Sequence, residues 1–187
     1  VLEQGEKVFE GTPEDAVNHY NRIIAAEDDR EAAQSPQREH YSFGNHRVEI
    51  LSADVRGERS GGNVVSAGEP LTVSLVCRAN EAVEDMTAGF VVRDRFGQDI
   101  YGCNSFYLQQ PLPMGEGRVG TIEFSFPAEL APGRYTLSAA LHSREDHLEN
   151  CYHWCDNITD FEVAGVIGAV FSGVCRLPTA VRYRVDD

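Results

Sequence analysis

Hydrophobic and polar positions alternate with period two through most of the chain after residue 40, and this period predicts β-strands. The clearest example is Leu71–Cys77, in which every second residue is apolar. In Ala88–Tyr107, two alternating segments flank the sequence D-R-F-G at 94–97. Aspartate bonds readily to nearby backbone and glycine tolerates positive φ, so this sequence favours a tight turn. Ala88–Tyr107 is therefore predicted to be a β-hairpin at the centre of a sheet.

The rest of the region after residue 40 carries further strand signals that are separated by turn residues. The additional predicted strands are His46–Leu51, Val64–Val65, Gly120–Phe126, Tyr135–Leu141, Cys151–Asn157, Phe161–Val163 and Gly168–Cys175. No second helix of any length is predicted there, which disfavours strands alternating with helices in a parallel sheet. About eight strands with one apolar face each predict a mainly β protein, an antiparallel β-sandwich.

The first forty residues have a different pattern. Val1–Phe9 is predicted to be a small hairpin or a strand end. Thr12 is a good helix N-cap and Pro13 suits the first helical position, so one α-helix is predicted from about Pro13 to Ala26. The charged segment Glu27–Arg38 contains a proline and has the composition of a linker. We therefore divide the chain into 1–38 (helix and linker) and 39–187 (β-sandwich).

Composition and charge limit the kinds of partner. The chain has 187 residues, is 42% hydrophobic and carries a net charge of −14. The apolar fraction is enough for a core, and the negative charge disfavours nucleic acid or an anionic membrane as a partner. No apolar run is long enough to cross a bilayer. No signal-peptide pattern is visible, so the five cysteines are expected to be reduced. The absence of an initial Met suggests a segment of a longer chain.

The sequence contains fragments of catalytic or metal-binding motifs but no complete constellation. Phosphate-loop, dinucleotide-binding and nucleophile-elbow motifs are all absent. The most suggestive cluster is Cys151, His153, Cys155 and Asp156, with His142 upstream, because zinc accepts these ligand types. In one strand, however, the two cysteines lie on the same face but too far apart for one ion without a bulge. We therefore expect neither a metal nor a cofactor, and interpret the thiols as buried or edge residues.

Binding is better supported than catalysis. Aromatic rings stack on pyranose faces, while amides, carboxylates and guanidinium groups hydrogen-bond to vicinal hydroxyls. Groups of these kinds occur at positions predicted to face outward on neighbouring strands. The candidate carbohydrate-binding residues are Arg93, Tyr101, Asn104, Ser138, His142, His153 and Trp154. The structural alternatives are that Tyr101 packs, that Asn104 caps a bulge beside Gly102, and that Trp154 is a core indole between the sheets.

Two parts of the chain resemble a known assembly. The opening V-L-E-Q-G-E-K-V-F-E-G-T-P-E-D-A-V-N-H-Y resembles the end of an ABC-transporter nucleotide-binding domain. The β region resembles the C-terminal domain on the ATPase subunit of O-antigen polysaccharide exporters of the Wzt type. The matching stretches are G-F-V-V-R-D-R-F-G-Q-D-I-Y-G-C-N-S, F-S-F-P-A-E-L-A-P-G-R-Y-T-L-S-A-A-L, F-E-V and F-S-G-V-C-R-L.

This resemblance implies an immunoglobulin-like sandwich that binds the exported glycan, in some members through a modification at the non-reducing end. It implies a cytoplasmic location at the inner-membrane face and a membrane-spanning exporter subunit as partner. It also implies a homodimer, in some members with the last strand exchanged, and the apolar segment Gly168–Cys175 is compatible with such an exchange. ATPase activity is not implied, because the nucleotide motifs are absent. The pocket residues of the family vary with the glycan and are not transferred.

Three functions follow in order of preference. The first is non-catalytic recognition of O-antigen polysaccharide for export. The second is a structural module for dimerisation or docking that couples the ATPase to the membrane subunit. The third, an enzyme, is the least supported.

Overall fold

The computed structural model describes residues 2–3, 6–11, 41–143 and 150–185. Contacts divide the chain into two units, Val1–Glu39 with Arg95–Gly97, and His40–Asp94 with Gln98–Asp187. In the first unit, β1 (Leu2–Glu3) and β2 (Glu6–Lys7) pair antiparallel, which confirms the predicted hairpin. The helix predicted at 13–26 and the boundary predicted after residue 38 lie outside the described residues and stay predictions.

The second unit consists of two β-sheets. The three-stranded sheet has the order β4-β6-β9, with β4 at Val48–Gly57, β6 at Pro70–Ala79 and β9 at Val119–Pro127. The six-stranded sheet has the order β3-β11-β10-β7-β8, and β5 also pairs with β11. Its strands are β3 (Ser42–Phe43), β5 (Val64–Ala67), β7 (Met86–Asp94), β8 (Asp99–Asn104), β10 (Gly133–Ser143) and β11 (Cys151–Val166).

The strand pairs are antiparallel, as predicted, with one exception. β5 runs parallel to the end of β11, with Val65 opposite Val163. β3 runs antiparallel to the start of β11, with Phe43 opposite Trp154. The two short strands therefore share one edge of β11, and β10 occupies the other edge.

The core lies between the two sheets and follows the alternation seen in the sequence. Leu71, Val73 and Leu75 of β6 are fully buried, and each contributes about 1.5–3 kcal/mol through burial. The rings of Phe90 on β7 and Phe124 on β9 lie 5.1 Å apart and join the two layers. Burial, with a smaller effect from Cys155, raises the pKa of the Cys77 thiol to about 12, so this thiol is unreactive at neutral pH.

The predicted central hairpin is present, but its two strands are not equivalent. β7 lies inside the sheet between β10 and β8, whereas β8 is an edge strand. In the connection, the amide of Gln98 donates to the carboxylate of Asp94 at 3.0 Å, and Gly97 has φ 75°. The turn therefore forms for the reasons that its sequence indicates.

The structure has one strand of 16 residues, β11, where the sequence predicted two strands at Cys151–Asn157 and Phe161–Val163. The strand contains an irregularity against β10, where Leu137 is opposite Thr159 but Ala139 is opposite Cys155. Within it, Asn157 has φ 48°, a left-handed conformation that asparagine tolerates. The extra residues bend the strand and re-aim its side chains.

The prediction of a strand at Gly168–Cys175 is wrong. Only an isolated bridge joins Cys175 to Leu130, and Gly168 and Gly173 have φ values of 87° and 108°. The guanidinium of Arg176 donates to the carbonyls of Ile167 at 2.7 Å and of Ala169 at 3.2 Å. The segment therefore curls around an arginine side chain instead of extending along a sheet.

Candidate functional site

The outer face of the six-stranded sheet, which points away from the core, brings together most of the candidate residues. Residues directly opposite each other in neighbouring strands have side chains on the same face. One row crosses five strands of this face and is called here the central row. Its members are Asn104, Gly89, Ala140, Trp154 and Phe43, in the order β8-β7-β10-β11-β3.

The middle of the central row is made of small residues. Gly89 and Ala140 are both buried and separate the larger side chains of Asn104 and Trp154. A Cβ atom added at Gly89 would lie 2.9 Å from the Cβ of Asn104, so a larger residue does not fit there without movement. Gly102, on the neighbouring row, adds another position without a side chain. These small residues (Gly89, Gly102 and Ala140) form a shallow floor.

An aromatic shelf, formed by Tyr41, Phe43 and Trp154, borders this floor on one side. The rings of Phe43 and Trp154 are stacked, with centroids 6.2 Å apart and an interplanar angle of 23°. The ring of Tyr41 lies 5.7 Å from that of Phe43. Tyr41 and Phe43 are exposed and Trp154 is partly buried. Trp154 therefore belongs to the outer face and is not a core indole between the sheets.

A polar network, called here the arginine network, lies at one end of the floor and joins four strands. Nη1 of Arg93 donates to Oδ1 of Asp156 at 2.6 Å and to Oγ of Ser138 at 2.8 Å. Nε of Arg93 donates to Oδ1 of Asp99 at 2.6 Å. The Ser138 hydroxyl donates to Asp156 at 2.6 Å and accepts the amide hydrogen of Asn157 at 3.0 Å. The irregularity in β11 thus places Asp156 within reach of Arg93.

The network remains charged at neutral pH. Burial alone raises the pKa of Asp156, but hydrogen bonds from Ser138 and Arg93 and the charge of Arg93 bring it below its ordinary value. Burial likewise lowers the pKa of Arg93, and the bonds to Asp99 and Asp156 raise it more. Asp99 is exposed while Asp156 and Arg93 are partly buried. A guanidinium and two carboxylates therefore stand beside the floor, where hydroxyl groups are able to bond to them.

His142 and Thr87 lie opposite each other on the row at the other end of the floor, and Cys151 is opposite His142. Both His142 and Thr87 are buried. His142 therefore shares the outer face with Arg93, Ser138, Asn104 and Trp154 but is not an exposed contact.

Tyr101 does not face outward, contrary to the sequence expectation. It is opposite Val92, whose side chain is in the core. Its ring packs 5.9 Å from that of Phe90 and 5.1 Å from that of Phe126. The pairing is regular from Asn104 to Tyr101, so alternation places Tyr101 on the face opposite to Asn104, which corresponds to the structural alternative in which Tyr101 packs.

His153 is also placed on the core side and not with the outward residues. Its Nδ1 accepts the amide hydrogen of Ile50 at 2.9 Å, so the neutral ring carries its hydrogen on Nε2, which lies 2.7 Å from Oγ of Ser42. Burial and the nearby His46 lower the pKa of His153, while Glu49 opposes the shift. His153 thus joins β4 and β3 to β11 and positions the shelf residue Phe43.

Asn104 has the outward register but also has a structural role. Its Oδ1 accepts the amide hydrogen of Tyr107 at 2.8 Å, which caps the turn that follows β8. This is close to the capping alternative drawn from the sequence, although the capped feature is a turn and not a bulge.

Sequence reasoning missed Asp156, Asp99, Tyr41 and Phe43. A signal for three of them was present. Asp156 is two residues from Trp154 and shares its side of the strand, and Tyr41 and Phe43 alternate around a serine. What the sequence did not contain was the pairing of β3 with β11, because a two-residue strand has no periodicity.

Neither a metal site nor a membrane span is found in the described part of the chain. Among these residues, no three His, Cys, Asp or Glu side chains converge as metal ligands do. Cys151 is opposite the outward His142 and Cys155 is opposite the inward Ala139, so the two thiols are on different faces. The described residues also contain no helix with the length and hydrophobicity needed to cross a bilayer.

The two packed sheets define a β-sandwich with aromatic and hydrogen-bonding side chains on its outer face. A family model for the Wzt C-terminal domain matches residues 39–177. The chain therefore belongs to the Wzt C-terminal domain family, which confirms the resemblance seen in the β region of the sequence. This family is one of non-catalytic binding modules.

The comparison with solved structures agrees on the fold. The crystal structure of the C-terminal domain of Wzt has a TM-score of 0.68 and 17% identity, covering 79% of this chain and 90% of that chain. A CARDB domain of the PF1109 protein from Pyrococcus furiosus has a TM-score of 0.35 and 14% identity, covering 66% and 97%. A β-glucuronidase of glycoside hydrolase family 2 has a TM-score of 0.39 and 13% identity, covering 62% and 12%. No curated protein matches significantly.

Proposed function

We propose that this domain binds the O-antigen polysaccharide that an ABC exporter transports, and that it acts by recognition without catalysis. The observation that carries the proposal is one continuous sheet face on which an aromatic shelf, a floor of small residues and the arginine network lie side by side. Membership of the Wzt C-terminal domain family supports the same role.

The face has the parts that sugar recognition needs. The apolar side of a pyranose packs on the rings of Trp154 and Phe43, which gain from stacking and from burial. The small floor at Gly89 and Ala140 lets the sugar approach the sheet closely. The hydroxyls then bond to the carboxylates and the guanidinium of the arginine network, which are already held in place and lose little freedom on binding.

The finer assignments extend this proposal. We infer that the glycan is read near its non-reducing terminus, and that residues 1–38 are the end of the nucleotide-binding domain with a helix and a linker. We also infer that the two-sheet arrangement is immunoglobulin-like. The domain then works in the cytoplasm at the inner-membrane face, beside the membrane-spanning exporter subunit.

Direct titration tests the proposal. The 187-residue chain is titrated with delipidated O-polysaccharide from its source organism, using calorimetry and the fluorescence of Trp154, the only tryptophan of the sequence. We expect saturable binding with a change in fluorescence. Phe43→Ala should weaken binding by removing half of the stacked pair. Ser125→Ala is the control, because this exposed serine lies on β9 in the other sheet. Absence of binding by the wild-type chain would refute the proposal.

A structural role in dimerisation is the second candidate, and one observation favours it. Near the C-terminus, Val181, Tyr183 and Val185 alternate with polar residues and are 92%, 86% and 70% exposed. A strand-like sequence with an exposed apolar side is suited to pairing with another chain. We infer a homodimer in which this segment, and not Gly168–Cys175, is exchanged. A stable dimer that binds no glycan would favour this second function over the first.

A further inference from the structure

A cleft of about 580 Å³ opens at the end of the outer face, next to Thr87. Its volume lies in the range of small-ligand sites. Its walls combine two aromatic rings, two planar amides, a hydroxyl and a carboxylate with apolar surface. Its polar and aromatic lining residues are Asp85, Thr87, Phe106, Tyr107, Gln109 and Gln110.

The loop that forms one wall of the cleft is fixed to the sheet. Ser105 is buried, its amide donates to the carbonyl of Ala88 at 2.8 Å, and its hydroxyl accepts the amide hydrogen of Ala88 at 3.1 Å. Asn104 caps the turn through the amide of Tyr107. Gln109 has φ 55°, and a non-glycine residue in this conformation carries strain of the kind that clusters at ligand sites. The wall is therefore pre-organised.

The cleft adjoins the end of the proposed glycan face. Thr87 lines the cleft and is also directly opposite His142 on the outer face. Thr87 and Arg93 are six residues apart on β7, which corresponds to about 20 Å along the strand. A ligand that touches the arginine network and the cleft together must therefore be longer than one pyranose unit, as a polysaccharide is.

The chemistry of the lining selects an uncharged sugar. Asp85 is a carboxylate, and the lining described above contains no cationic side chain. An anionic sugar would meet repulsion from Asp85 and from a chain of net charge −14. A carboxylate and the amides of Gln109 and Gln110 bond to vicinal hydroxyls, and the ring of Tyr107 offers a stacking surface.

We propose that this cleft is a second sugar subsite, which binds one neutral pyranose unit of the same glycan that crosses the outer face. The inference rests on the proposed function. It adds where one sugar unit binds and that this unit is uncharged. Asn104 is then a positioning residue, because it holds the turn that carries Tyr107.

The test uses fragments of the delipidated O-polysaccharide, measured by calorimetry on the full chain. Tyr107→Ala and Gln110→Ala should weaken binding of the longest fragments about tenfold each, since each removes one exposed contact of the subsite. Leu108→Ala is the matched control, because this exposed residue is in the same turn but does not line the cleft. The mutated side chains are exposed, and thermal unfolding should confirm that each variant is folded.

A direct readout localises the sugar and tests its charge. The side-chain amide signals of Gln109 and Gln110 in NMR spectra should shift with methyl glycosides of neutral hexoses and shift less with methyl glucuronide. Larger shifts with the glucuronide would overturn the assignment to neutral sugars. If the wild-type chain binds the fragments and the cleft substitutions leave affinity unchanged, the subsite is wrong and the proposed function stands. If the wild-type chain binds no fragment, both fail.

Discussion

Arg93 and Asp156 are joined by a 2.6 Å contact between Nη1 and Oδ1, although β10 lies between their strands. The contact crosses Ser138, which bonds to both partners. It forms because β11 is irregular at this point and carries extra residues. The polar end of the proposed glycan face therefore depends on a backbone irregularity and on side chains from four strands.

Because of the ion pair between Arg93 and Asp156, we expect the free energy of unfolding to change with pH in the acid range. The pKa of Asp156 is lower in the folded chain than the ordinary value of 3.8. The contribution of its carboxylate to the free energy of unfolding is therefore fully present above that value. It is lost as pH falls below 3.8 through the lower folded value. In urea unfolding, the wild-type free energy should fall more steeply below about pH 4 than that of Asp156→Asn. Ser125→Ala, at an exposed position of the other sheet that does not titrate, should retain the wild-type slope.

Because of His153, we expect the free energy of unfolding to depend on pH at milder values as well. Its folded pKa is below the ordinary value of 6.5, so the unfolded chain binds the proton more readily between the two values. The free energy of unfolding should therefore fall as pH decreases from about 6.5. His153→Asn keeps an acceptor near the amide of Ile50 and does not titrate. Denaturant unfolding at several pH values should show a flatter profile for this variant, and an identical profile would contradict the assigned role.

Tyr101 and Arg93 should separate stability from binding. Tyr101→Ala removes a ring that packs on Phe90 and Phe126 and should lower the free energy of unfolding by about 2 kcal/mol. We expect its affinity for O-polysaccharide to stay near that of the wild type. Arg93→Ala removes charged hydrogen bonds on the outer face and should weaken binding about tenfold. Calorimetry measures the affinity of both variants, and chemical unfolding measures their stability. Weakened binding by Tyr101→Ala with unchanged binding by Arg93→Ala would place the site on the β8 edge.

The exposed apolar residues near the C-terminus should affect the association of two chains. Val181→Asp combined with Tyr183→Asp places charges on the side that an exchanged strand would bury, so the dimer should dissociate. Sedimentation equilibrium measures the change. Thr179→Asp is the control, because it adds a charge nearby without altering the alternating apolar positions. A double variant with wild-type association would exclude this segment from the interface.

The sheets were predictable from the sequence because burial imposes a period of two on each strand. Leu71–Cys77 shows this period, and β6 has the predicted alternation with small shifts at its ends. The segment Gly168–Cys175 differs from its sequence pattern for a physical reason. Its apolar residues indicate a strand, but the pattern does not contain the arginine that bonds its carbonyls.

The candidate site was less predictable because it depends on which strands pair and on where registers slip. Arg93, Asn104, Ser138, His142 and Trp154 share a face, so residue type and alternation identified most of it. Tyr101 and His153 are on the core side, because Tyr101 is three residues from the outward Asn104 and His153 is adjacent to the outward Trp154, so alternation turns each to the other face. Asp156 and Phe43 were missed because their roles arise from contacts with residues distant in sequence.

The brevity of β3 has a consequence for motion. The strand holds Phe43 through two ladder pairs with β11 and the contact of Ser42 with His153. The strand is short and paired on one edge only, so it is easier to detach than β10, which is paired on both edges. Amide hydrogen exchange should therefore be much faster in β3 than in β10. A bound sugar that rests on Phe43 should slow it, making this short strand a local reporter of occupancy.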